Sequence, residues 1–442
     1  MAWEKLTVAK PGSFFSRLGA SAVWLALVIA GAYVTNFDEP YLPFVIAGAF
    51  VFFLRARPTR WEIYGWLFSS ALFAKVIHLS AIPFWVLRVA AGFSLLGFGA
   101  ILLLGLRVLW SDREAQQNSV AFLAPALILI VFILTSSNVL KFSGAIRPQT
   151  EDAWLYAFDG SLGFQPSFAI GRIMFTHVFL ARSAFLTYLG LPFAMAVVCA
   201  WKTAPTAKRI SWKMLIIILL AGVGGWLLYN IVPGTGPIYA FGRDFPWREI
   251  AYKDLPRFVV RKIALPAGIP RNAMPSLHMG WAVLLYWNSK GFPRALRVAL
   301  LLFLLLTVVA TLGGGQHYFI DLVVSLPFVL AVQSAGSLIS PNRRRHVVAL
   351  LVGTGMTFAW LLMVRFGLTV AMTSPVIPWS LIIFTLATTI WLRHWSSKDD
   401  GCLKGFSVCE AGGSSQEKGG GTGLRQNTDS HVPPARSAAV AK

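Results

Sequence analysis

The sequence contains little charge and few acidic residues. Asp, Glu, Lys and Arg make up 13% of its 442 residues, whereas about 25% is usual in soluble globular proteins. Only 18 residues are acidic against 39 that are basic, and the formal net charge is +21. The 3 cysteines are too few for a disulfide framework. These shortages exclude an ordinary soluble domain and a small disulfide-stabilised domain.

Apolar residues are abundant instead and make up 56% of the chain. They fall into runs of roughly 17–25 residues, a length that crosses a bilayer as a helix. We therefore predict an all-α, polytopic helical membrane protein with about twelve transmembrane helices. The predicted spans are residues 18–34, 41–54, 62–80, 84–106, 119–140, 183–201, 212–232, 275–289, 295–312, 318–339, 346–364 and 374–392.

Basic residues cluster in alternate connections between these spans, for example in 55–60, 202–213 and 343–345. In a soluble protein a large positive charge favours nucleic acid as a partner. In a membrane protein the positive-inside rule accounts for it. The pattern predicts a multi-pass membrane protein with cytoplasmic termini and no nucleic-acid partner. Residues 395–442 are rich in Gly, Ser, Lys and Gln, and we predict a disordered cytoplasmic tail.

Two long connections on the extracytoplasmic side, 141–182 and 233–274, also contain several cations, which suggests a bound anion. Three segments on this side contain the candidate site residues. They are KFSGAIRPQ with Lys141 and Arg147, RNAMPSLH with Arg271, Ser276 and His278, and GGGQHYFIDL with His317 and Asp321.

His317 and Asp321 are four residues apart and would share one face of a helix. A carboxylate beside a histidine can hold the proton of one ring nitrogen and leave the other nitrogen free as a nucleophile. The alternative is a structural His–Asp pair that closes the end of a helix. His278 favours the catalytic interpretation, because it follows a helix start at which Ser276 is the expected N-cap.

The free N–H groups of such a helix start suit a phosphate, which makes Ser276 a phosphate-binding candidate. His278, in the first turn, could donate a proton to a leaving group. Two histidines, one carboxylate and several cations indicate phosphoryl transfer. We expect no metal site, because further acidic ligands are lacking, and no other cofactor.

The motifs PSLH and, 39 residues after His278, HYFID resemble the type-2 phosphatidic acid phosphatase superfamily. That superfamily has the pattern K-x6-R-P, then P-S-G-H, then S-R-x5-H-x3-D. MPSLHMGWA and HYFIDL are most similar to its inositol phosphorylceramide synthase branch, of the aureobasidin-resistance type. The order of LYAFDGSLGFQPS, GTGPIYAFG and the histidines is similar too. The resemblance covers roughly residues 119–340.

The resemblance implies that His317 attacks the phosphorus, Asp321 orients it and His278 protonates the departing alcohol. It also implies that Lys141 and Arg147, with Arg271, hold the phosphate oxygens. No metal is implied.

The implied architecture is a six-helix, phosphatase-like catalytic core over residues 119–340. Four N-terminal spans in 1–118 and two C-terminal spans in 341–394 are then additions to this core, followed by the tail 395–442.

The sequence departs from the superfamily pattern at three places. Five residues rather than six separate Lys141 from Arg147, which turns Arg147 by about 100° on a continuous helix, unless Gly144 lets the chain leave the helix. Leu277 replaces the glycine of P-S-G-H. At the expected Ser-Arg pair stand Ala310 and Thr311, and Arg271 is the candidate substitute for the missing arginine. These departures favour the transferase branch.

The expected function is a membrane lipid phosphotransferase. It would move a phosphoryl head group from a phospholipid donor to a lipid or polyol alcohol acceptor through a phosphohistidine. Two alternatives remain: a lipid phosphate phosphatase, in which water is the acceptor, and a non-enzymatic lipid transporter, which needs cations but no His–Asp pair. For Glu151, Asp152 and Asp159 we expect either ion pairs with nearby cations or hydrogen bonds to head-group hydroxyls.

Overall fold

The computed structural model describes residues 14–34, 39–76, 85–203, 205–206, 209–210, 212–339 and 342–397. The predicted disordered tail lies, from residue 398 onward, outside the described residues. The helices are α1 (Phe14–Val34), α2 (Leu42–Arg55), α3 (Arg60–Val76), α4 (Trp85–Trp110), α5 (Arg113–Ile146), α6 (Asp152–Gly160), α7 (Pro166–Thr176), α8 (Val178–Leu189), α9 (Leu191–Lys202), α10 (Lys213–Leu228), α11 (Pro237–Ala240), α12 (Leu277–Trp287), α13 (Arg294–Gly313), α14 (Phe319–Ala335), α15 (Arg343–Phe366), α16 (Leu368–Ala371) and α17 (Val376–Ser397).

Short strands and 3-10 turns complete the described secondary structure. The strands β1 (Gln149–Thr150) and β4 (Ile263–Ala264) pair antiparallel, as do β2 (Pro205–Thr206) and β3 (Arg209–Ile210). The 3-10 helices are Gly242–Asp244 and Tyr252–Arg257. The all-α prediction is thus confirmed.

Every predicted span overlaps a helix, but the count of about twelve transmembrane helices is not confirmed. Among the residues that the structure describes, six helices are long and apolar enough to cross a membrane: α1, α4, α5, α13, α15 and α17. The pair α7 and α8, bent by 117°, would be a seventh if it counts as one span. Helices such as α9, with 12 residues, and α14, with 17, are shorter. At 1.5 Å per residue they fall short of a hydrocarbon core of about 30 Å.

The connection 141–182 is not an irregular loop. Helix α5 extends through its first residues, and α6 and α7 occupy most of the remainder. α6 is buried almost completely and packs against α14, on which the candidate site depends.

The N-terminal helices pack directly on the predicted catalytic core. α2 lies against α4, α5 and α9. A Cβ atom at Gly48 would overlap the Cβ of Ala196 in α9, and one at Gly97 would overlap the backbone carbonyl of Ile46 in α2. Small residues allow such close approach of helices. α2 is therefore held firmly between the N-terminal helices and the core.

Candidate active site

The two histidine motifs meet where α12 and α14 begin. The ring centroids of His278 and His317 are 6.3 Å apart. The backbone N–H of Ser276 donates to the carbonyl oxygen of Asp321 at 3.1 Å. The Ser325 hydroxyl lies 2.8 Å from the Ser276 carbonyl and 2.7 Å from that of Asp321. These bonds join the two helix starts, so the histidines face each other across a fixed gap.

The two ring nitrogens of His317 differ in their contacts. Nδ1 lies 3.0 Å from the carbonyl oxygen of Ala273 and 3.5 Å from Oδ2 of Asp321. A backbone carbonyl only accepts hydrogen bonds, so Nδ1 must carry the proton. In the neutral ring Nε2 then has its lone pair available for attack on an electrophile.

His317 and Asp321 do not share a helix face, contrary to the expectation from their spacing. His317 precedes α14 by two residues. Asp321 lies in the first turn, and its Oδ2 accepts a hydrogen bond at 2.8 Å from the backbone N–H of Tyr318. The carboxylate thereby folds back over the helix start, where it reaches the imidazole as well.

The backbone around His317 is immobilised from several directions. Its N–H donates to the carbonyl of Thr311 at 3.1 Å. Its carbonyl accepts from the Ser167 hydroxyl at 3.0 Å. The residue is 1% exposed. A buried residue with its backbone and Nδ1 held in this way has little freedom to turn its ring, which suits a preorganised nucleophile.

Asp152 supports this segment from α6. Its carboxylate accepts hydrogen bonds from the Thr235 N–H and hydroxyl, both at 3.1 Å, from the Gly236 N–H at 2.9 Å and from the Tyr318 hydroxyl at 3.0 Å. Burial raises the pKa of Asp152, and these donors oppose that effect. Gly236 has φ of 108°, and a Cβ there would overlap the carbonyl of Gln316. Only glycine lets the loop pass so close to His317.

Asp159 caps α14. Its two carboxylate oxygens accept hydrogen bonds from the backbone N–H groups of Phe319, at 2.7 Å, and Ile320, at 3.1 Å. Burial raises the pKa of Asp159 to about 8, although the Phe319 N–H opposes this shift. The expectation for the acidic residues is therefore wrong for Asp152 and Asp159, which bind the protein's own N–H and O–H groups. Glu151 does form an ion pair, with Arg365 of α15.

We expect Asp159→Ala to destabilise the protein and to lower its activity. The N–H of Phe319, partly buried, and that of Ile320, buried, would lose their acceptor, at a cost of about 1–3 kcal/mol for a buried group. His317, two residues before Phe319, would then be held less firmly. The matched control is Asp112→Ala, which removes the exposed N-cap of α5, at a cost of about 1 kcal/mol. Thermal unfolding in detergent and turnover should be measured for both. Equal melting temperatures, or full activity of Asp159→Ala, would contradict this role.

The cations expected to hold phosphate differ in their surroundings. Lys141 forms an ion pair with Glu39, which lies just before α2, and its side chain is 60% exposed. Arg147 is the exposed C-cap of α5. α5 continues for two residues past Gly144, so the chain does not leave the helix there. A Cβ at Gly144 would instead overlap the carbonyls of Ala267 and Ile269. The glycine allows close packing of this loop.

Arg271 is not placed to hold a phosphate, contrary to the expectation. It is 1% exposed, and its guanidinium donates to backbone carbonyls. The acceptors are Arg147 at 2.7 Å, Ile269 at 2.6 Å, Leu265 at 2.9 Å and Pro148 at 3.3 Å. A guanidinium has five N–H donors, so at least four are occupied. Arg271 clamps the loop before α12 to the end of α5.

Ser276 is the N-cap of α12, as predicted. Its Oγ accepts from the Met279 N–H at 3.3 Å. Any contribution of Ser276 to phosphate binding therefore comes through the helix start that it stabilises.

Two aromatic residues beside His278 were not anticipated from the sequence. The Tyr41 hydroxyl lies 3.2 Å from Nε2 of His278. The Tyr188 ring stacks on the imidazole with a centroid distance of 3.8 Å and an interplanar angle of 11°. No local pattern predicts these contacts, because Tyr41 is 237 residues from His278 in the chain. Tyr318 and Gly236, by contrast, stand within the quoted motifs HYFID and GTGPIYAFG.

Within the described ranges, no group of three or more His, Cys, Asp or Glu side chains is placed to hold a metal ion. The chemistry available from the described side chains is that of a nucleophilic imidazole, a second imidazole and a carboxylate.

This arrangement is compatible with enzymes that transfer a phosphoryl group through histidine. Residues 153–335 match the family model described as PAP2 superfamily, and this segment includes His278, His317 and Asp321. The match supports the resemblance to the type-2 phosphatidic acid phosphatase superfamily and suggests a lipid phosphatase or phosphotransferase of the membrane. No curated protein and no solved structure matches the chain.

Proposed function

We propose that this protein is a membrane lipid phosphotransferase of the inositol phosphorylceramide synthase type. It transfers a phosphoryl head group from a phospholipid to an alcohol on a lipid or polyol. The active site lies on the extracytoplasmic face and the termini lie in the cytoplasm. The observation that carries the proposal is the pair of facing imidazoles, one of which has Nδ1 committed to a carbonyl and Nε2 available.

The proposed reaction has two steps. Nε2 of His317 attacks the phosphorus while the bond from phosphorus to the lipid alcohol breaks, and His278 gives that oxygen a proton. The acceptor hydroxyl then attacks the phosphohistidine, gives its proton to His278 and releases His317. Asp321 and the Ala273 carbonyl keep the proton on Nδ1 throughout. Lys141 and Arg147 are the candidates to hold the phosphate oxygens.

A lipid alcohol is favoured over water as the acceptor by the surroundings of His278. The rings of Tyr41 and Tyr188 cover the imidazole that would activate the acceptor. Aromatic rings exclude water and suit an apolar chain next to a hydroxyl.

The test uses purified protein in liposomes that contain a mixed phospholipid set. Ceramide, diacylglycerol and polyols are offered as acceptors, and mass spectrometry follows lipid products, free head groups and phosphate. A new phosphodiester lipid that requires His317 is the expected result and identifies both substrates. Release of phosphate or head group alone would make the protein a hydrolase. If no lipid gives a product that depends on His317, the proposal is refuted, and a lipid transporter becomes the better explanation.

A further inference from the structure

The N-terminal helices lie outside the segment that matches the family model, yet they reach the candidate site. The short stretch before α2 makes two contacts there. Glu39 forms an ion pair with Lys141, and the Tyr41 hydroxyl lies 3.2 Å from Nε2 of His278. In the proposed function, Lys141 is a candidate to hold the phosphate and His278 transfers the proton.

The contact between Tyr41 and His278 fixes the imidazole along its edge. Tyr188 of α8 stacks on the face of the same ring at a centroid distance of 3.8 Å. An imidazole held at its edge and on its face has a defined ring plane. His317, 6.3 Å away by ring centroid, lies on the side where the phosphoryl group would be transferred.

Tyr41 is itself held by a rigid element. It is the N-cap residue of α2, and its carbonyl accepts the N–H of Val45 at 3.2 Å. α2 is wedged between α4 and α9 through the contacts at Gly97 and Gly48. The position of the hydroxyl is therefore set by helix packing.

We propose that Tyr41 is a positioning residue for His278, so that the N-terminal helices complete the catalytic site. This inference rests on the proposed function, in which His278 protonates the departing alcohol. A phenol hydroxyl both donates and accepts hydrogen bonds. Its oxygen can accept the Nε2–H of His278 both before and after transfer, because the proton given to the departing alcohol leaves from Nδ1. Tyr41 thus keeps Nε2 oriented through the whole proton cycle.

The deciding variant is Tyr41→Phe, which keeps the ring and removes the hydroxyl. Its matched control is Tyr64→Phe on α3, where the tyrosine is 62% exposed. Each is assayed with two kinds of donor, a phospholipid and a nitrophenyl phosphate ester. The lipid alcohol needs a proton to depart, whereas nitrophenolate leaves without one. A positioning role for the acid therefore slows formation of the phosphohistidine only with the first donor.

We expect Tyr41→Phe to lower kcat for the lipid donor by about 10-fold or more. A general acid contributes about 10²–10⁴-fold to the rate, and a misplaced His278 should keep at most a tenth of that contribution. KM should change little, and the first-turnover burst of nitrophenolate should be unchanged. Tyr64→Phe should match wild type with both donors. Equal loss with both donors would indicate a structural defect and overturn the inference, as would wild-type kinetics of Tyr41→Phe with the lipid donor.

A second measurement does not depend on turnover. Diethylpyrocarbonate modifies free imidazole nitrogens, and mass spectrometry can follow its addition to His278. Loss of the Tyr41 hydroxyl should raise that rate several-fold in Tyr41→Phe and leave it unchanged in Tyr64→Phe. An unchanged rate in Tyr41→Phe would refute the contact. If wild type shows no His317-dependent turnover, the proposed function fails, and with it the catalytic role of Tyr41, while the modification rate still decides whether Tyr41 holds His278.

Discussion

His317→Ala should abolish phosphoryl transfer, with a loss in kcat on the order of 10⁴–10⁶-fold, the range found when single members of a catalytic triad are removed. The reason is that Nε2 of His317 forms the bond to phosphorus, and the described structure offers no other imidazole beyond His278 at this position. Loss of the lipid product in liposomes measures the effect. Brief incubation with labelled donor, followed by alkaline quench and peptide mapping, should show a phosphohistidine at residue 317 in wild type and none in His317→Ala.

The control for this substitution is His177→Ala. His177 is exposed and lies between α7 and α8, so the same change of side chain occurs away from the site. It should retain wild-type turnover and labelling. Label on another histidine, or activity of His317→Ala above about a hundredth of wild type, is incompatible with a nucleophile at this position, given the magnitude above.

The helices were predictable from sequence because apolar runs of this length are informative on their own. All twelve predicted spans overlap helices, but their lengths were not predictable. The predicted span 183–201 is divided at Gly190 into α8 and α9. Whether a helix continues through a glycine or is interrupted there depends on the helices packed against it, and the pattern of apolar residues does not contain that information.

The candidate catalytic residues were also predictable, since the motifs PSLH and HYFID contain them. Their supports were not. Arg271 is a charged residue in a motif. The sequence around it does not indicate that the N–H groups of its guanidinium donate to backbone carbonyls. Asp152 and Asp159 stand in an apparent loop next to cations, yet they bind backbone groups that are more than 80 residues away. Such contacts depend on which chain segments meet in the fold.

The role of α2 illustrates the same limit. The sequence separates residues 1–118 from the catalytic core, because no motif links them. In the structure, Glu39 and Tyr41 contact Lys141 and His278. The N-terminal part and the core are therefore separate segments of the sequence, but residues of both segments form the candidate site.

Asp321→Asn should lower kcat by about 10²–10³-fold, less than the loss of about 10⁴-fold when the aspartate of a serine protease triad becomes asparagine. In that triad the aspartate alone fixes the histidine tautomer. Here Nδ1 of His317 lies 3.0 Å from the Ala273 carbonyl and 3.5 Å from the Asp321 carboxylate. The carbonyl keeps the correct tautomer in the variant, so the main loss is the negative charge that stabilises a positive imidazole during transfer.

The comparison that checks this reasoning is Asp321→Asn against Asp321→Ala. Both remove the charge, but only asparagine retains an oxygen that can accept the Tyr318 N–H, whose bond to Asp321 is 2.8 Å long. Alanine should therefore also lower the melting temperature, since a buried N–H without an acceptor costs about 1–3 kcal/mol. If the two variants have equal kcat but unequal melting temperatures, the loss of activity comes from the missing charge and not from a folding defect. A loss of about 10⁴-fold or more in Asp321→Asn would mean that Asp321, and not the Ala273 carbonyl, holds the proton on Nδ1.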